Sequence, residues 1–229
     1  APVFAIFFPI DVAIALTGVV HFSNNIFKMA LVGKNTDKTV LLRFGIPAII
    51  ASFAGAWTLI RITNLPVLYT YELWGKSFDI TPVKLIIAIL LIIFSLLEIA
   101  PAFQKLQFDK KKLIAGGLLS GFFGGLAGIQ GAIRSAFLIK SGLSKEAYIA
   151  TGVMIDSLVD FTRITVYASR FADAGLHENV PLLLAASLSA FAGAFIGKKL
   201  LKKTTLKSIQ LIVAIFLVLI SIALGSGLI

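Results

Sequence analysis

Apolar runs about twenty residues long recur along the chain, separated by short polar or basic stretches. The runs are IDVAIALTGVVHFSNNIFKMALV (10–32), LLRFGIPAIIASFAGAWTLI (41–60), PVKLIIAILLIIFSLLEIA (82–100), 113–140, AYIATGVMIDSLVDFTRITVYAS (147–169), VPLLLAASLSAFAGAFIG (180–197) and the segment from 208 to the end. As helices, most are long enough to cross a hydrocarbon layer of ~30 Å. The pattern predicts an all-α fold, a polytopic transmembrane helical bundle of seven or eight helices. Residues 1–9 are apolar but too short to span, and they carry neither the basic start nor the cleavage site of a signal peptide. GKNTDK (33–38) reads as a loop, and Pro47 predicts a kink in the second span. Residues 61–81 are aromatic and polar, with Tyr69, Tyr71 and Trp74 suited to the headgroup level, so a short interfacial helix is expected there. The run 82–100 is the most uniformly apolar and is expected to face lipid, with Glu98 near its end able to snorkel.

Composition supports this reading. The 229 residues are 58% hydrophobic and 14% charged, with mean hydropathy +0.97; a soluble domain carries about 25% charge. The net charge is +10, concentrated in the loops QKLQFDKKK (104–112) and KKLLKKTTLK (198–207). In such loops it reads as a topology signal and lipid contact, so no nucleic acid is expected as a partner. There is no Cys and there are two His, which removes thiol chemistry and argues against a metal centre. No phosphate loop, dinucleotide fingerprint or catalytic triad order occurs. No enzyme activity and no cofactor are expected.

One run departs from the rest. LIAGGLLSGFFGGLAGIQGAIRSAFLIK (113–140) is crowded with glycine and carries Gln130 and Arg134 near its middle. Gly116, Gly117, Gly121 and Gly124 fit close helix packing. Gly128 and Gly131 flank Gln130, where the helix either packs closely or breaks and presents an N-terminus.

The chain also repeats itself. AIALTGV (13–19) matches AYIATGV (147–153) at an offset of 134, and Ser23, Phe27 and Pro47 meet Ser157, Phe161 and Pro181 at the same offset. With four residues inserted, ASFAGAW (51–57) meets SAFAGAF (189–195), so Ala-Gly-Ala at 54–56 and 192–194 marks two related crossings. The bundle is therefore read as two related halves. The first is 1–101, including the 61–81 connection; 102–112 is the basic loop; the second half is 113–229. The first half lacks a counterpart of the Gly-rich initial segment, which is read as an N-terminal truncation.

Two polar stripes lie inside the spans. His21, Asn24, Asn25 and Lys28 share one helical face, and so do Asp156, Asp160 and Arg163. Two readings stand for the second stripe: a buried Asp160–Arg163 pair that fixes register, or a lining that meets substrate and titrates. Arg134 is placed to pair with one of the acids. Lys28, Arg134 and Arg163 are candidates for attracting an anion, with Gln130 and Gly131 supplying donors. His21, Asn24 and Asn25 complete the candidate binding set, although His21 alone also reads as a satisfied core residue. Asp156 and Asp160 are candidates for proton coupling.

GFFGGLAGIQGAIRSAFL, followed by LSKEAYIATGV and VDFTR, resembles the sulfite exporter TauE/SafE family of membrane permeases. The resemblance covers 113–229 and extends through the repeat to 1–100. It implies a duplicated helical bundle in the cell (plasma or inner) membrane that moves sulfite, a sulfonate or a similar organic anion. The alternative is a non-transporting membrane scaffold whose polar groups only hold helices together; it predicts a dry, fully paired interior. Were every run a simple span, the two basic loops would fall on opposite faces of the membrane, against the positive-inside rule. A re-entrant hairpin removes the conflict, and the glycine-rich runs are its natural candidates.

Overall fold

The computed structural model of the chain describes residues 2–5, 8–173 and 206–229, with isolated positions between 181 and 192. Apart from those positions, the span expected at 180–197 with its Ala-Gly-Ala, and all but the last two residues of the basic stretch 198–207, lie outside the described structure. Seven helices organise the rest: α1 (Ile10–Val32), α2 (Ile46–Thr63), α3 (Pro82–Ile99), α4 (Leu113–Ala127), α5 (Gly131–Leu138), α6 (Lys145–Asp173) and α7 (Leu206–Gly225). Among the described residues, three helical segments are long and apolar enough to cross a membrane: Ile10–Asn35, Lys38–Thr63 and Pro82–Ile99.

α2 continues a helix begun at Lys38, and between them Leu41–Gly45 widens into a π turn. Pro47 follows it after one residue, Ile46. A proline lacks one ladder donor, and a π turn is a common way for a helix to absorb an irregularity of that kind. A π turn therefore stands just ahead of the proline where the kink was expected.

Beyond Thr63, where α2 ends, the connection 61–81 is not a helix. Tyr69–Leu73 (β1) and Lys76–Ile80 (β2) pair antiparallel, with Leu73 opposite Lys76. YTYEL and KSFDI suit the pleat, and the stacked rings of Tyr69, Tyr71 and Phe78 outweigh helix propensity. Trp74 and Gly75 both have positive φ, 54° and 72°, as a tight two-residue hairpin turn requires. The all-α expectation is corrected to a mostly helical fold with one β-hairpin.

Glycine sets the main helix crossing. α2 and α4 run parallel, and side chains at Gly117, Gly121 and Gly125 would collide with the carbonyl groups of Phe44, Ala48 and Ser52 in turn. Gly55, in the first Ala-Gly-Ala, meets the Phe122 carbonyl in the same way. Lipid is as apolar as leucine, so close backbone approach replaces the hydrophobic effect as the source of association. Elsewhere α1 packs against α6 and α3 against α7. The outer faces of α2 and α7 remain apolar and exposed, with Ile50, Phe53, Ile212 and Phe216 among them, as lipid contact requires.

The run 113–140 does not cross. α4 has 15 residues and α5 has eight, about 22 and 12 Å at 1.5 Å per residue. Between them the chain reverses. Phe108, just before α4, donates its N–H to the Ala136 carbonyl at 3.0 Å, and its ring stacks on Phe137 at 4.2 Å. Ser120 Oγ donates to the Gln130 carbonyl at 3.2 Å. Both ends of the segment therefore lie on one face of the bundle, and the turn lies inside it.

The hairpin changes which loops share a face. Asp37, between α1 and α2, donates its N–H to Thr151 Oγ1 at 2.9 Å near the start of α6. Gln210, one turn into α7, lines the same cavity as Glu98 and Leu106. The α1–α2 connection, the lysines at 110–112, Lys140, Lys145 and the start of α7 thus gather on one face. The β-hairpin and the C-terminal end lie on the other, where Tyr71 donates its hydroxyl to the Ser226 carbonyl at 2.8 Å.

Candidate functional site

The reversal at the end of α4 has a local cause. Gly128 adopts the left-handed conformation at φ 73°, and its N–H returns to the Gly124 carbonyl at 2.9 Å. That is the five-to-one bond of a glycine-capped helix end, and Ile129 N–H reaches one residue further back, to the Phe123 carbonyl at 3.3 Å. α5 then starts at once. Its first ladder bond is Arg134 N–H to the Gln130 carbonyl at 2.9 Å, and no side chain caps it. The amides of Gly131, Ala132 and Ile133 precede that bond, and the helix dipole adds partial positive charge at the same end. A methyl group built at Gly131 would meet nothing within 4 Å.

The open space at Gly131 is a cavity of about 250 Å³, room for roughly eight waters at ~30 Å³ each. From the break it is lined by Gly128, Gln130 and Gly131. From α1 come His21, Asn24, Asn25 and Lys28, and from α6 comes Asp156. The first polar stripe of the sequence thus faces Asp156, one member of the second, across the mouth of the re-entrant turn. Gln130 is 7% exposed, and its Oε1 has no hydrogen-bond partner among the described residues.

Three of the predicted residues stand outside this lining. Asp160 is fully buried: Oδ1 accepts from Arg163 Nε at 2.9 Å and Oδ2 accepts from Asn25 Nδ2 at 3.0 Å. Arg163, 1% exposed, also brings Nη2 to 2.7 Å of Asp160. Its guanidinium lies between glycines, since a methyl at Gly18 would sit 3.3 Å from Nε and one at Gly128 would sit 2.7 Å from Nη1. This pair joins α1 and α6 and fills the back of the break. Arg134 turns the other way. It forms an ion pair with Asp156 but lines a second cavity, on the far side of α5.

Two features escaped the sequence reading. The repeated Thr-Gly-Val supplies two arginine seats: Gly18 under Arg163, and Gly152 under Arg134, where an added methyl would sit 3.3 Å from Nε. The repeat itself was the available signal. The second cavity also draws on Glu98, Ser135 and Gln210, which no periodicity connects.

A family model described as Sulfite exporter TauE/SafE matches residues 1–224. The chain belongs to this family. It is an integral membrane transporter of sulfur-containing anions and not an enzyme. No curated protein and no solved structure matches the chain.

Proposed function

We propose that the chain is a permease for a small sulfur-containing anion such as sulfite or a sulfonate. The anion binds in the cavity between α1, α6 and the α4–α5 break. The observation that carries this reading is the convergence of the uncapped α5 N-terminus, Lys28 and the amides of Asn24 and Asn25 on one 250 Å³ space. Backbone N–H groups and a helix dipole favour an anion without a full counter-charge, and Lys28 supplies that charge. A scaffold held together only by paired polar groups has no use for such a space.

In this reading Gln130 and His21 help orient the anion, and Asp156 couples its movement to protons. Arg163 and Asp160 act through position, by holding the break open against α1. The two halves are inverted repeats. Their matched helices α1 and α6 run antiparallel, with Gly18 near Arg163 and Asn25 bonded to Asp160; α3 and α7 also run antiparallel, with Ser95 Oγ bonded to the Ala214 carbonyl. Such duplication suits alternating access about a central site. The lysine-rich face is cytoplasmic, by the excess of positive charge in its short loops.

The test is radiotracer counterflow in proteoliposomes with sulfite, sulfate, methanesulfonate and acetate. Sulfite or methanesulfonate is expected to exchange and acetate to exchange more slowly. Lys28→Ala removes one charge-assisted contact of ~1.5–3 kcal/mol, a roughly ten- to hundredfold loss of affinity. Equal exchange of all four anions, unchanged by Lys28→Ala, contradicts the site.

A further inference from the structure

α5 is a wall with a cavity on each side. The second cavity, about 330 Å³, lies between α5, the end of α3, the loop at Leu106 and the start of α7. Arg134 and Ser135 face it from α5, Glu98 from α3 and Gln210 from α7. Gly131 lines both cavities and has no side chain, so the wall is thinnest there. One ion pair also crosses the wall: Arg134 lines the second cavity, and its partner Asp156 lines the first.

We propose that the second cavity is a second anion compartment of the same route, and that Arg134 passes from Asp156 to the anion while Asp156 takes up a proton. This rests on the permease reading above.

An ionised group inside a membrane protein is expensive unless compensated. With Arg134 on Asp156 the pair is neutral. When a monovalent anion takes Arg134, the Asp156 carboxylate is stranded unless it binds a proton; once protonated, the assembly is neutral again. One proton accompanies one negative charge, and no bond other than O–H is made or broken.

The surroundings favour Asp156 for this exchange over its neighbour. Asp160, one turn away, already holds Arg163 and Asn25 and is sealed. Asp156 keeps a side chain 17% exposed and faces His21 and Lys28 across the first cavity. Tyr148 on α6 lies in the electrostatic neighbourhood of Arg134. Glu98 shares the second cavity with Arg134, so the guanidinium keeps a negative neighbour after it leaves Asp156. Gly152 leaves the shaft of Arg134 free of a side chain beneath it.

The test uses methanesulfonate, whose charge is independent of pH, in proteoliposomes clamped at zero potential. Wild type is expected to take up one proton per anion, and a one-unit pH gradient to sustain about tenfold accumulation. In Asp156→Asn the accumulation ratio falls to about one, whatever its counterflow rate. Wild-type accumulation without proton uptake, or tenfold accumulation by Asp156→Asn, overturns the exchange while leaving the permease reading standing. Absence of both methanesulfonate and sulfite counterflow in wild type overturns the permease reading and the exchange with it. The second compartment has its own readout. The chain has no cysteine, so Ser135→Cys is labelled alone by an impermeant anionic thiol reagent. Methanesulfonate is expected to slow that labelling, and no slowing overturns the compartment.

Discussion

The two arginine–aspartate pairs share chemistry but not surroundings. Arg163 and Asp160 lie three residues apart on one helix, are 1% and 0% exposed, and gain a third partner in Asn25. Arg134 and Asp156 sit on different helices, retain 16% and 17% exposure, and separate two cavities. Each arginine lies over the glycine of a Thr-Gly-Val motif, where an added methyl would sit 3.3 Å from its Nε. Partner count and access to space distinguish them: the first pair has nowhere to go, and the second has room on both sides. A sealed pair fixes the geometry of the break, and a half-open pair is free to exchange partners.

The largest effect is expected from Asp160→Ala, which strands the Arg163 charge in a sealed site. Breaking a buried pair from one side costs about 3–5 kcal/mol, read as a lowered unfolding temperature in detergent. Asp156→Ala is expected to cost about 1–2 kcal/mol, between the sealed and surface limits, while abolishing pH-driven accumulation. Equal stability losses in the two variants would erase the distinction.

Gly128→Ala is next. It forces a side chain into a left-handed position at φ 73° and to 2.7 Å from Arg163 Nη1. A loss of about 1–3 kcal/mol is expected, with counterflow reduced because the break shifts. Gly18→Ala and Gly152→Ala form a matched pair with the same 3.3 Å approach. The first presses on a guanidinium that cannot retreat and is expected to cost about 1–3 kcal/mol. The second presses on one that has a cavity behind it, and should cost below about 1 kcal/mol while altering flux. The smallest effect belongs to Trp74→Asn, 90% exposed at the hairpin turn and far from both pairs. Asn suits positive φ, so a gain of about 0.5 kcal/mol in stability with unchanged counterflow is expected.

Much of this arrangement was readable from helical spacing. His21, Asn24, Asn25 and Lys28 share a face because i, i+3, i+4 and i+7 must, and α1 presents that face to the cavity. Glycines on both sides of Gln130 allowed either close packing or a break, and the structure has the break. Spacing carries no information about chain direction after a break; the conflict between the two basic loops pointed to a re-entrant hairpin in a glycine-rich run, but not to its division into 15 and eight residues. Spacing also left open which acid Arg134 meets, since Asp156 and Asp160 share a face and only the tilt of α5 selects between them. The β-hairpin was missed for a different reason. YTYEL and KSFDI alternate as strands do, but their aromatic rings equally suit an interfacial helix, and no Asn-Gly or Asp-Gly marks the turn.

Both cavities and the exchange between them depend on the fold-back of 113–138. Single cysteines at Lys111, Lys140 and Trp74 test it directly in this otherwise cysteine-free chain, using an impermeant thiol reagent on sealed right-side-out and inverted vesicles. The hairpin predicts that Lys111→Cys and Lys140→Cys are labelled from the same side and Trp74→Cys from the opposite one. Labelling of Lys111→Cys and Lys140→Cys from opposite sides would mean that the glycine-rich segment crosses the membrane, and would contradict the account.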